Sequence, residues 1–435
     1  MSSLSEARDA AEVAIVGAGA AGLATAIFLK RARPHVRVVL TDGAPRPGAK
    51  ILVSGGGRCN VTNTVVNETD FWGGRRTVIR RVLRAMPVCD TIAFFGDLGV
   101  PLHEEPGGKL FPDSHRSRDV LDALLRASDA AGVELRSGTR VLAIRRNEDH
   151  FSLDTSKGVL TTNALVLATG GRSLPKSGSD GAGYEFARSL GHSLVPTTPA
   201  LAPLVLDPAT EHSVHAELSG VSIGGEIAVW VDGAVATRLP GALLWTHFGI
   251  SGPVVLNASR HWARAQLEGR AVQLTLNMRP GESFDQVDAH WTATAGTRPR
   301  ATVRSMIAAD LPDAVALAVL KALKLATDVA LADLTRADRR RIVHAITAWP
   351  LPVVDTRGYN FAEVTAGGVD LAEIDPATME SRLCPRLFLV GEILDVDGRI
   401  GGFNFQWAWS SAAAAAAGLA RMSGGGTAVP GSERR

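Results

Sequence analysis

The chain has 435 residues, enough for two or three domains, and its 46% hydrophobic and 21% charged residues are ordinary for a globular protein. Wholesale disorder and a collagen-like chain are therefore excluded. The formal net charge of +2 offers no broad electrostatic footprint for nucleic acid or for an acidic membrane, so we expect neither as a partner.

The cysteine count points to a reducing compartment. Cys59, Cys89 and Cys384 are the three cysteines of the chain, and their spacings match neither a zinc signature nor a C-x-x-C pair. The first 12 residues lack the pattern of a signal peptide, and no stretch is a convincing membrane span. We therefore predict a cytoplasmic protein with no metal site.

The first predicted element is a βαβ unit that carries a dinucleotide fingerprint. Residues 13–17 (VAIVG) and 36–40 (VRVVL) are typical of buried parallel strands, and residues 23–32 of a helix. The turn Gly17-Ala18-Gly19-Ala20-Ala21-Gly22 matches G-x-G-x-x-G, whose glycines let backbone N–H groups approach a pyrophosphate. Asp42 follows Gly22 by 20 residues, where a carboxylate accepts hydrogen bonds from a ribose.

A second glycine-rich loop follows soon after the predicted ribose carboxylate. Residues 48–63 read GAKILVSGGGRCNVTN, and a plain NAD dehydrogenase needs no such loop there. Lys50 is interpreted as a phosphate ligand, with a catalytic place at flavin N5 as the alternative. Cys59 is interpreted as a packing residue, with a reactive thiol as the alternative.

The next 130 residues are predicted to continue the α/β pattern. We predict one helix over 75–99, which carries five arginines, and another over 117–131. Short strands are predicted near 133–136, 139–145 and 150–154. A further buried strand, residues 164–168 (ALVLA), ends in Thr169-Gly170-Gly171.

The pattern changes at about residue 196. Residues 226–231 and 272–278 alternate strictly between apolar and polar positions, which predicts a half-exposed antiparallel sheet. Residues 301–348 predict two or three helices, the last beginning near Arg336 with Thr335 as its N-cap.

The α/β pattern then returns near the C-terminus. We predict a strand at 387–390 that ends at Gly391, and a final helix over 404–422 with six consecutive alanines. The Gly/Ser-rich residues 424–435 are predicted to be disordered.

Several of these segments together resemble one flavoprotein family. The 48–63 loop, ATGG at 168–171 and GEILDVDGRIGGFNFQ at 391–406 are similar to the family that contains aminoacetone oxidase and the bile-acid enone reductase. Further matches are PALAPL at 199–204, THFGISGP at 246–253, FAEVTAGGV at 361–369 and TMES at 378–381.

The resemblance implies an α/β, glutathione-reductase-like FAD-binding domain of Rossmann type that is interrupted by an insert over the flavin. With the patterns above, this gives a discontinuous FAD domain (12–195 and 351–422), a β-rich insert (196–285) and a helical insert (286–350). Residues 1–11 and 423–435 are predicted to be flexible tails.

The resemblance also implies which residues hold FAD. Val141 is expected at the adenine, Thr169 and Gly170 at the adenosine end, and Glu392 and Asp395 at the ribityl chain or phosphates. The helix start at Gly402 is expected near flavin N1/O2, where a positive helix end stabilises reduced flavin. The predicted cofactor-binding residues are Gly17, Gly19, Ala20, Ala21, Gly22, Asp42, Lys50, Ser54, Gly55, Arg58, Cys59, Asn60, Thr62, Val141, Thr169, Gly170, Gly391, Glu392, Asp395, Gly402, Phe403 and Asn404.

The predicted function is hydride transfer between a small organic substrate and flavin N5. Either NAD(P)H reduces the flavin, which then reduces an activated double bond, or an amine is oxidised and dioxygen takes the electrons. His247, in the predicted insert, is the candidate acid or base.

The alternatives to this function are an RNA-modifying flavoprotein and a non-enzymatic flavin-binding protein. NAD(P)H would have to dock transiently, since no second G-x-G-x-x-G is present. RNA modification requires a basic stripe, and we find candidates only at Arg75–Arg84 and Arg339–Arg341. The sequence leaves the oligomeric state open.

Overall fold

The computed structural model describes residues 9–210 and 213–422, which form two large hydrophobic cores. The first core draws buried side chains from Ala11–Ala187 and again from Val369–Leu419. The second draws them from Leu204–Leu351. The predicted tails lie outside the described residues, except that residues 9–11 begin the first strand and are therefore not a tail.

A seven-stranded sheet runs through the first core. Its strands are Asp9–Val16, Val38–Thr41, Glu134–Arg136, Val141–Arg146, Phe151–Thr155, Gly158–Leu167 and Leu387–Leu389.

Parallel pairing joins the central strands of this sheet. Asp9–Val16 lies between Val38–Thr41 and Gly158–Leu167, and Leu387–Leu389 pairs with the second half of Gly158–Leu167. The first half of that strand pairs antiparallel with Phe151–Thr155, so it is longer than the predicted 164–168. The parallel strands end at one edge of the sheet, where doubly wound folds bind ligands.

Helices cover this sheet and the second core. In chain order they are Ala20–Ala32, Ala49–Gly57, Arg76–Leu83, Val88–Asp97, Ser117–Ala130, Ala182–Ser189, Pro253–Leu267, Phe284–Thr297, Val303–Ile307, Asp313–Ala322, Arg336–Thr347 and Phe403–Arg421.

The helices agree with prediction only in part, and four of them lie where no individual helix was predicted: Ala49–Gly57, Ala182–Ser189, Pro253–Leu267 and Phe284–Thr297. The predicted helix over 75–99 is wrong, since Pro87 separates two helices and lacks the N–H that a continuous helix would need. Thr335 is an N-cap, because its side chain accepts the N–H of Asp338. The alanine-rich face of Phe403–Arg421 packs against Ala20–Ala32, as small side chains permit.

The second core contains a seven-stranded antiparallel sheet. In spatial order its strands are Trp349–Leu351, Val272–Asn277, Ser222–Val231, Ala234–Thr246, Gly249–Ser251, Leu204–Leu206 and Val353–Thr356. This sheet continues beyond residue 350, where the insert was predicted to end.

Short ribbons join and flank the two cores. Strand Leu194–Ala200 leads towards the second core and pairs antiparallel with Val364–Val369, which leads back. Two smaller sheets complete the fold, and their strands are Phe71–Gly73 with Val396–Gly398, and Thr62–Asn63 with Lys109–Pro112 and Leu102–Glu105. Across the described ranges, no helix combines the length and the apolar character needed to cross a membrane.

Candidate functional site

A cavity of about 740 Å³ lies where the parallel strands end. This size falls within the range of small-molecule and cofactor sites. Most of the predicted cofactor residues line it: Gly17, Gly19, Ala20, Ala21, Asp42, Lys50, Ser54, Gly55, Arg58, Asn60, Val141, Thr169, Gly170, Gly391, Glu392, Gly402 and Asn404. The fold thus brings together residues from both ends of the chain.

The glycines of the first loop serve different purposes. Gly17 has φ +104°, and a Cβ there would overlap the carbonyl oxygen of Ala168. A Cβ on Gly22 would overlap the carbonyl oxygen of Gly17, so Gly22 permits close packing without lining the cavity. Gly19 has ordinary backbone angles, and nothing lies within 4 Å of its Cβ position, which faces open space at the cavity.

The helix that follows this loop presents an uncapped N-terminus to the cavity. Its N-cap is Gly19, no side chain accepts its first N–H groups, and its first turn has no acidic residue. The aligned peptide dipoles and these N–H groups favour an anion such as a pyrophosphate.

Asp42 holds the loop and also lines the cavity. Its Oδ2 accepts the N–H of Ala18 at 2.8 Å, and its Oδ1 accepts the N–H of Ala44 at 2.8 Å. The carboxylate is therefore fixed at the end of its strand by two backbone donors, and each oxygen keeps acceptor capacity for a ribose hydroxyl.

Lys50 belongs to a polar network on the cavity wall. Its ammonium donates to Glu392 Oε2 at 2.5 Å and to Ser173 Oγ at 2.7 Å. Glu392 Oε1 in turn accepts the N–H of Thr365 at 2.9 Å and the hydroxyl of Ser173 at 2.8 Å. A carboxylate with so many donors is held rigidly, and it keeps the Lys50 charge at a defined place in the cavity.

Glu363 is a cavity residue that the sequence analysis missed. Its side chain is open to the cavity and yet surrounded by protein, and burial raises the pKa of its carboxyl, opposed by the charges of Lys50 and Lys109. A carboxyl with a raised pKa holds its proton to higher pH than a free glutamate and can deliver it. Lys109 and Phe111 also line the cavity without having been predicted.

The second glycine loop contributes to the wall with some of its predicted residues. The Arg58 guanidinium lies over the Phe111 ring, 4.1 Å from its centroid. Cys59 is fully buried and does not line the cavity, and burial raises the pKa of its thiol to about 12. A thiol that stays protonated is a poor nucleophile, which agrees with a packing role. Thr62 is buried too, and its hydroxyl donates to the side-chain oxygen of Gln406 at 2.6 Å.

The last helix begins at the cavity. Gly402 has φ +94°, and a Cβ there would overlap the carbonyl oxygen of Thr62, so the glycine is needed for the helix to sit where it does. Asn404 clamps the preceding turn, since its side chain accepts the N–H and binds the carbonyl of Gly398. Phe403 packs into the core and does not line the cavity.

His247 and Asp395 lie apart from the cavity lining. His247 is exposed in the turn between two strands of the second sheet, edge-on to Phe248 with 5.2 Å between ring centroids. Its catalytic role stays a prediction.

Asp395 is buried, and desolvation, with the nearby Asp397 charge as a second cause, raises the pKa of its carboxyl to about 6.

Unpaired polar atoms in the cavity wall provide a test of whether a cofactor fits. Thr169 Oγ1, Ser179 Oγ and Asn60 Oδ1 are buried and have no hydrogen-bond partner among the described residues. All three residues line the cavity. Buried polar groups in proteins are normally paired, so these atoms fit a bound polar ligand. With the Gly19 opening and the uncapped helix, they match a dinucleotide.

Comparison with known proteins decides the family. Residues 11–418 match the HI0933-like protein Rossmann domain. The chain belongs to this HI0933-like family. It is 34% identical over 410 residues to the ribosomal RNA dihydrouridine synthase of Escherichia coli, covering 93% of this chain and 97% of that protein. It is 31% identical over 399 residues to the 3-dehydro-bile acid delta(4,6)-reductase of Clostridium scindens, and this alignment covers 92% of this chain and 96% of that protein.

Solved flavoenzymes share the HI0933-like fold. The 3-ketosteroid-delta4-(5alpha)-dehydrogenase of Rhodococcus jostii RHA1 aligns with a TM-score of 0.50 and 14% identity, over 97% of this chain and 99% of that one. The FrdA subunit of the E. coli quinol fumarate reductase also aligns with a TM-score of 0.50, at 17% identity. This alignment covers 94% of this chain and 70% of that one. The protein is a FAD-dependent oxidoreductase, and the predicted family and α/β Rossmann fold are confirmed.

Asp42→Ala is expected to weaken FAD binding. The change removes a charged acceptor for the ribose and two bonds that hold the loop, and hydrogen bonds to charged groups contribute about 1.5–3 kcal/mol each. The measurement is a titration of FAD-free protein with FAD, followed by flavin fluorescence. Wild-type affinity in the variant would mean that Asp42 only shapes the turn.

Asp395→Asn is expected to stabilise the protein above pH 6. Because the pKa of about 6 exceeds the ordinary value of 3.8, the folded state binds more protons, and stability is lost as pH rises from about 4 to 6. The difference between these two pKa values corresponds to a loss of about 3 kcal/mol in the free energy of unfolding at neutral pH. Urea unfolding should show a gain of this order for the variant at pH 8 and almost none at pH 4. An equal gain at both would contradict a titration effect.

Proposed function

We propose that this oxidoreductase reduces a carbon–carbon double bond conjugated to a carbonyl group. The two named relatives support this class. Dihydrouridine is uridine whose C5–C6 double bond, conjugated to the C4 carbonyl, has been saturated, and a 3-dehydro-delta(4,6) bile acid carries double bonds conjugated to its 3-keto group. One type of bond is thus shared by two otherwise unlike substrates.

Glu363 is the observation that carries the proposal. FAD, when bound and reduced, supplies a hydride to the carbon that is β to the carbonyl. The reaction then needs a proton at the α carbon, and the Glu363 carboxyl faces the cavity with a raised pKa. Lys50, held by Glu392 and Ser173, supplies a fixed positive charge on the same wall, and its predicted place at phosphate or flavin stays a proposal.

Anaerobic half-reactions test this proposal. FAD-loaded protein is mixed with NADH or NADPH, and bleaching of the flavin band identifies the donor, which we propose to be a transient co-substrate. The reduced enzyme is then mixed with a conjugated ketone or with air. Rapid reoxidation by the ketone supports the reductase, whereas rapid reoxidation by air alone, with bleaching by a small amine, would support the amine oxidase.

Glu363→Gln should separate proton delivery from cofactor binding. We expect normal FAD content and normal bleaching by the donor, but reoxidation by the ketone slowed by about 10²- to 10⁴-fold, the usual contribution of a general acid. Glu148→Gln, at an exposed carboxylate, is the matched control. An unchanged rate in Glu363→Gln would assign the proton to another group.

A uridine base in RNA is the second candidate substrate. The Arg357 guanidinium is stacked between two rings, 4.3 Å from the Phe248 centroid and 3.7 Å from that of Phe361. This stack lies near the cavity lining, since Glu363, two residues after Phe361, lines the cavity and donates its backbone N–H to the carbonyl of Leu201, another lining residue. Phe361 is the exposed member of this stack, and exposed aromatic planes are surfaces on which unpaired bases stack.

Charge pairing favours the small molecule over RNA as the leading substrate. Arg80 in the first predicted basic stripe is paired with Glu68, and in the second stripe Arg339 is paired with Asp288 and Arg341 with Asp338. Reoxidation of the reduced enzyme by a uridine-containing oligonucleotide, abolished by Arg357→Ala while the ketone reaction persists, would reverse this order.

A further inference from the structure

Three metal-ligating side chains converge beside the flavin cavity without lining it. His103 and Glu105 point from the same face of strand Leu102–Glu105, and His115 follows strand Lys109–Pro112. One ligand atom from each lies within 4.8 Å of the others. His115 lies in a turn and has a φ of +53°. Its backbone N–H donates to the Pro112 carbonyl at 2.8 Å, which closes the turn.

The spacing of these atoms is close to that of a zinc site. His103 Nε2 lies 3.6 Å from Glu105 Oε1, and His115 Nδ1 lies 3.9 Å from the same oxygen. Zinc–nitrogen and zinc–oxygen bonds of about 2.0–2.2 Å at tetrahedral angles give ligand separations of about 3.3–3.5 Å. Side-chain shifts of a few tenths of an ångström would bring all three atoms onto one ion.

A second set of contacts orients two of the ligands. His103 Nδ1 lies 3.1 Å from Asp113 Oδ1, and Arg58 Nη1 donates to Glu105 Oε1 at 2.5 Å. A ring proton donated to Asp113 leaves His103 Nε2 with a lone pair that faces the lone pairs of the Glu105 carboxylate. Arg58 already supplies one positive charge to this carboxylate, and a histidine backed by a carboxylate, as His103 is by Asp113, is the usual arrangement at metal sites.

We propose that His103, Glu105 and His115 bind one divalent transition-metal ion of the zinc class. Three protein ligands of the His₂Glu type leave a fourth position for water. Asp113 and Arg58 position the ligands, and Arg58 joins the ion to the cavity wall, where it lies over Phe111. The proposal departs from the expectation of no metal, which rested on cysteine spacing, whereas these ligands include no cysteine.

Metal titration of the FAD-loaded protein tests this site. Untagged protein is freed of metal with a chelator and titrated with Zn²⁺ by calorimetry and with Co²⁺ by visible absorption. We expect one equivalent of each, and a cobalt spectrum of low coordination number. His103→Ala and His115→Ala should each weaken binding at least about 100-fold, and Asp113→Asn, which removes an orienting contact, about 10- to 100-fold.

The controls separate the site from general effects. His290→Ala removes an exposed histidine on helix Phe284–Thr297, away from the proposed ligands, and should leave Zn²⁺ binding unchanged. FAD absorbance and the thermal midpoint check the fold of each variant, and Glu105→Gln, nearly equal in shape, replaces any alanine variant that fails to fold. No Zn²⁺ uptake by wild type, or uptake that survives loss of His103 and His115, would overturn the proposal.

Discussion

Gly19→Val is expected to give a folded protein that has lost FAD. Nothing lies within 4 Å of the Cβ position of Gly19, and its φ of −83° suits any residue, so the valine meets no protein atom nearby. Its side chain would instead occupy the opening in front of the helix N-terminus, where the pyrophosphate must approach. We expect FAD affinity to fall by at least about 100-fold, or about 2.7 kcal/mol.

Gly17→Val is the contrasting variant two residues away. Gly17 has φ +104°, and its Cβ would overlap the Ala168 carbonyl, so this change should damage the fold itself. Flavin absorbance relative to protein absorbance measures FAD content, and circular dichroism with a thermal midpoint measures folding. Wild-type FAD content in folded Gly19→Val would show that the pyrophosphate lies elsewhere in the cavity.

The predictions of secondary structure that were confirmed depend on short-range patterns. The glycine fingerprint, its flanking strands and Asp42 lie within about 30 residues of one another, and such a unit folds through local strand–helix contacts. Strict alternation predicted the inward face of strand Ser222–Val231, where Ile227, Val229 and Val231 are all buried. In this strand, the alternation of apolar and polar side chains reflects which face of the strand is buried.

Glu363 and the pairing of Lys50 with Glu392 were missed because they depend on contacts between distant parts of the chain. Lys50 and Glu392 are 342 positions apart, and no local pattern indicates that they pair. Glu363 directly precedes the ribbon strand Val364–Val369, and its position at the cavity depends on how the chain returns from the second core to the first. The split at Pro87 is different, since a proline within a helical pattern is a visible signal that was overlooked.

Asp397→Ala is expected to destabilise the protein by about 3–5 kcal/mol, the usual effect of leaving a buried charge without its partner. Arg260 Nε and Nη2 donate to the Asp397 carboxylate at 2.6 and 3.0 Å. The two side chains are 9% and 1% exposed. The pair joins helix Pro253–Leu267, which packs on the second sheet, to strand Val396–Gly398 beside the first core.

The surroundings of Arg260 offer no substitute for the lost carboxylate. The guanidinium lies 4.9 Å from the Trp72 ring centroid, and Trp72 is edge-on to His261 at 5.1 Å. Burial, with the Arg260 charge as a second cause, lowers the pKa of His261 to about 3, so this ring is neutral and accepts no charge. Within the described residues, Arg260 forms an ion pair with Asp397 and with no other carboxylate.

A double variant distinguishes an unpaired charge from lost packing. If the unpaired guanidinium causes the instability, Arg260→Leu combined with Asp397→Ala should recover much of the free energy of unfolding, measured by urea unfolding with tryptophan fluorescence. Glu217→Ala breaks the exposed pair with Lys321 and should change stability by less than about 1 kcal/mol. A double variant as unstable as the sum of its single changes would mean that Arg260 and Asp397 act independently, and the junction between the cores would then depend on apolar contacts instead.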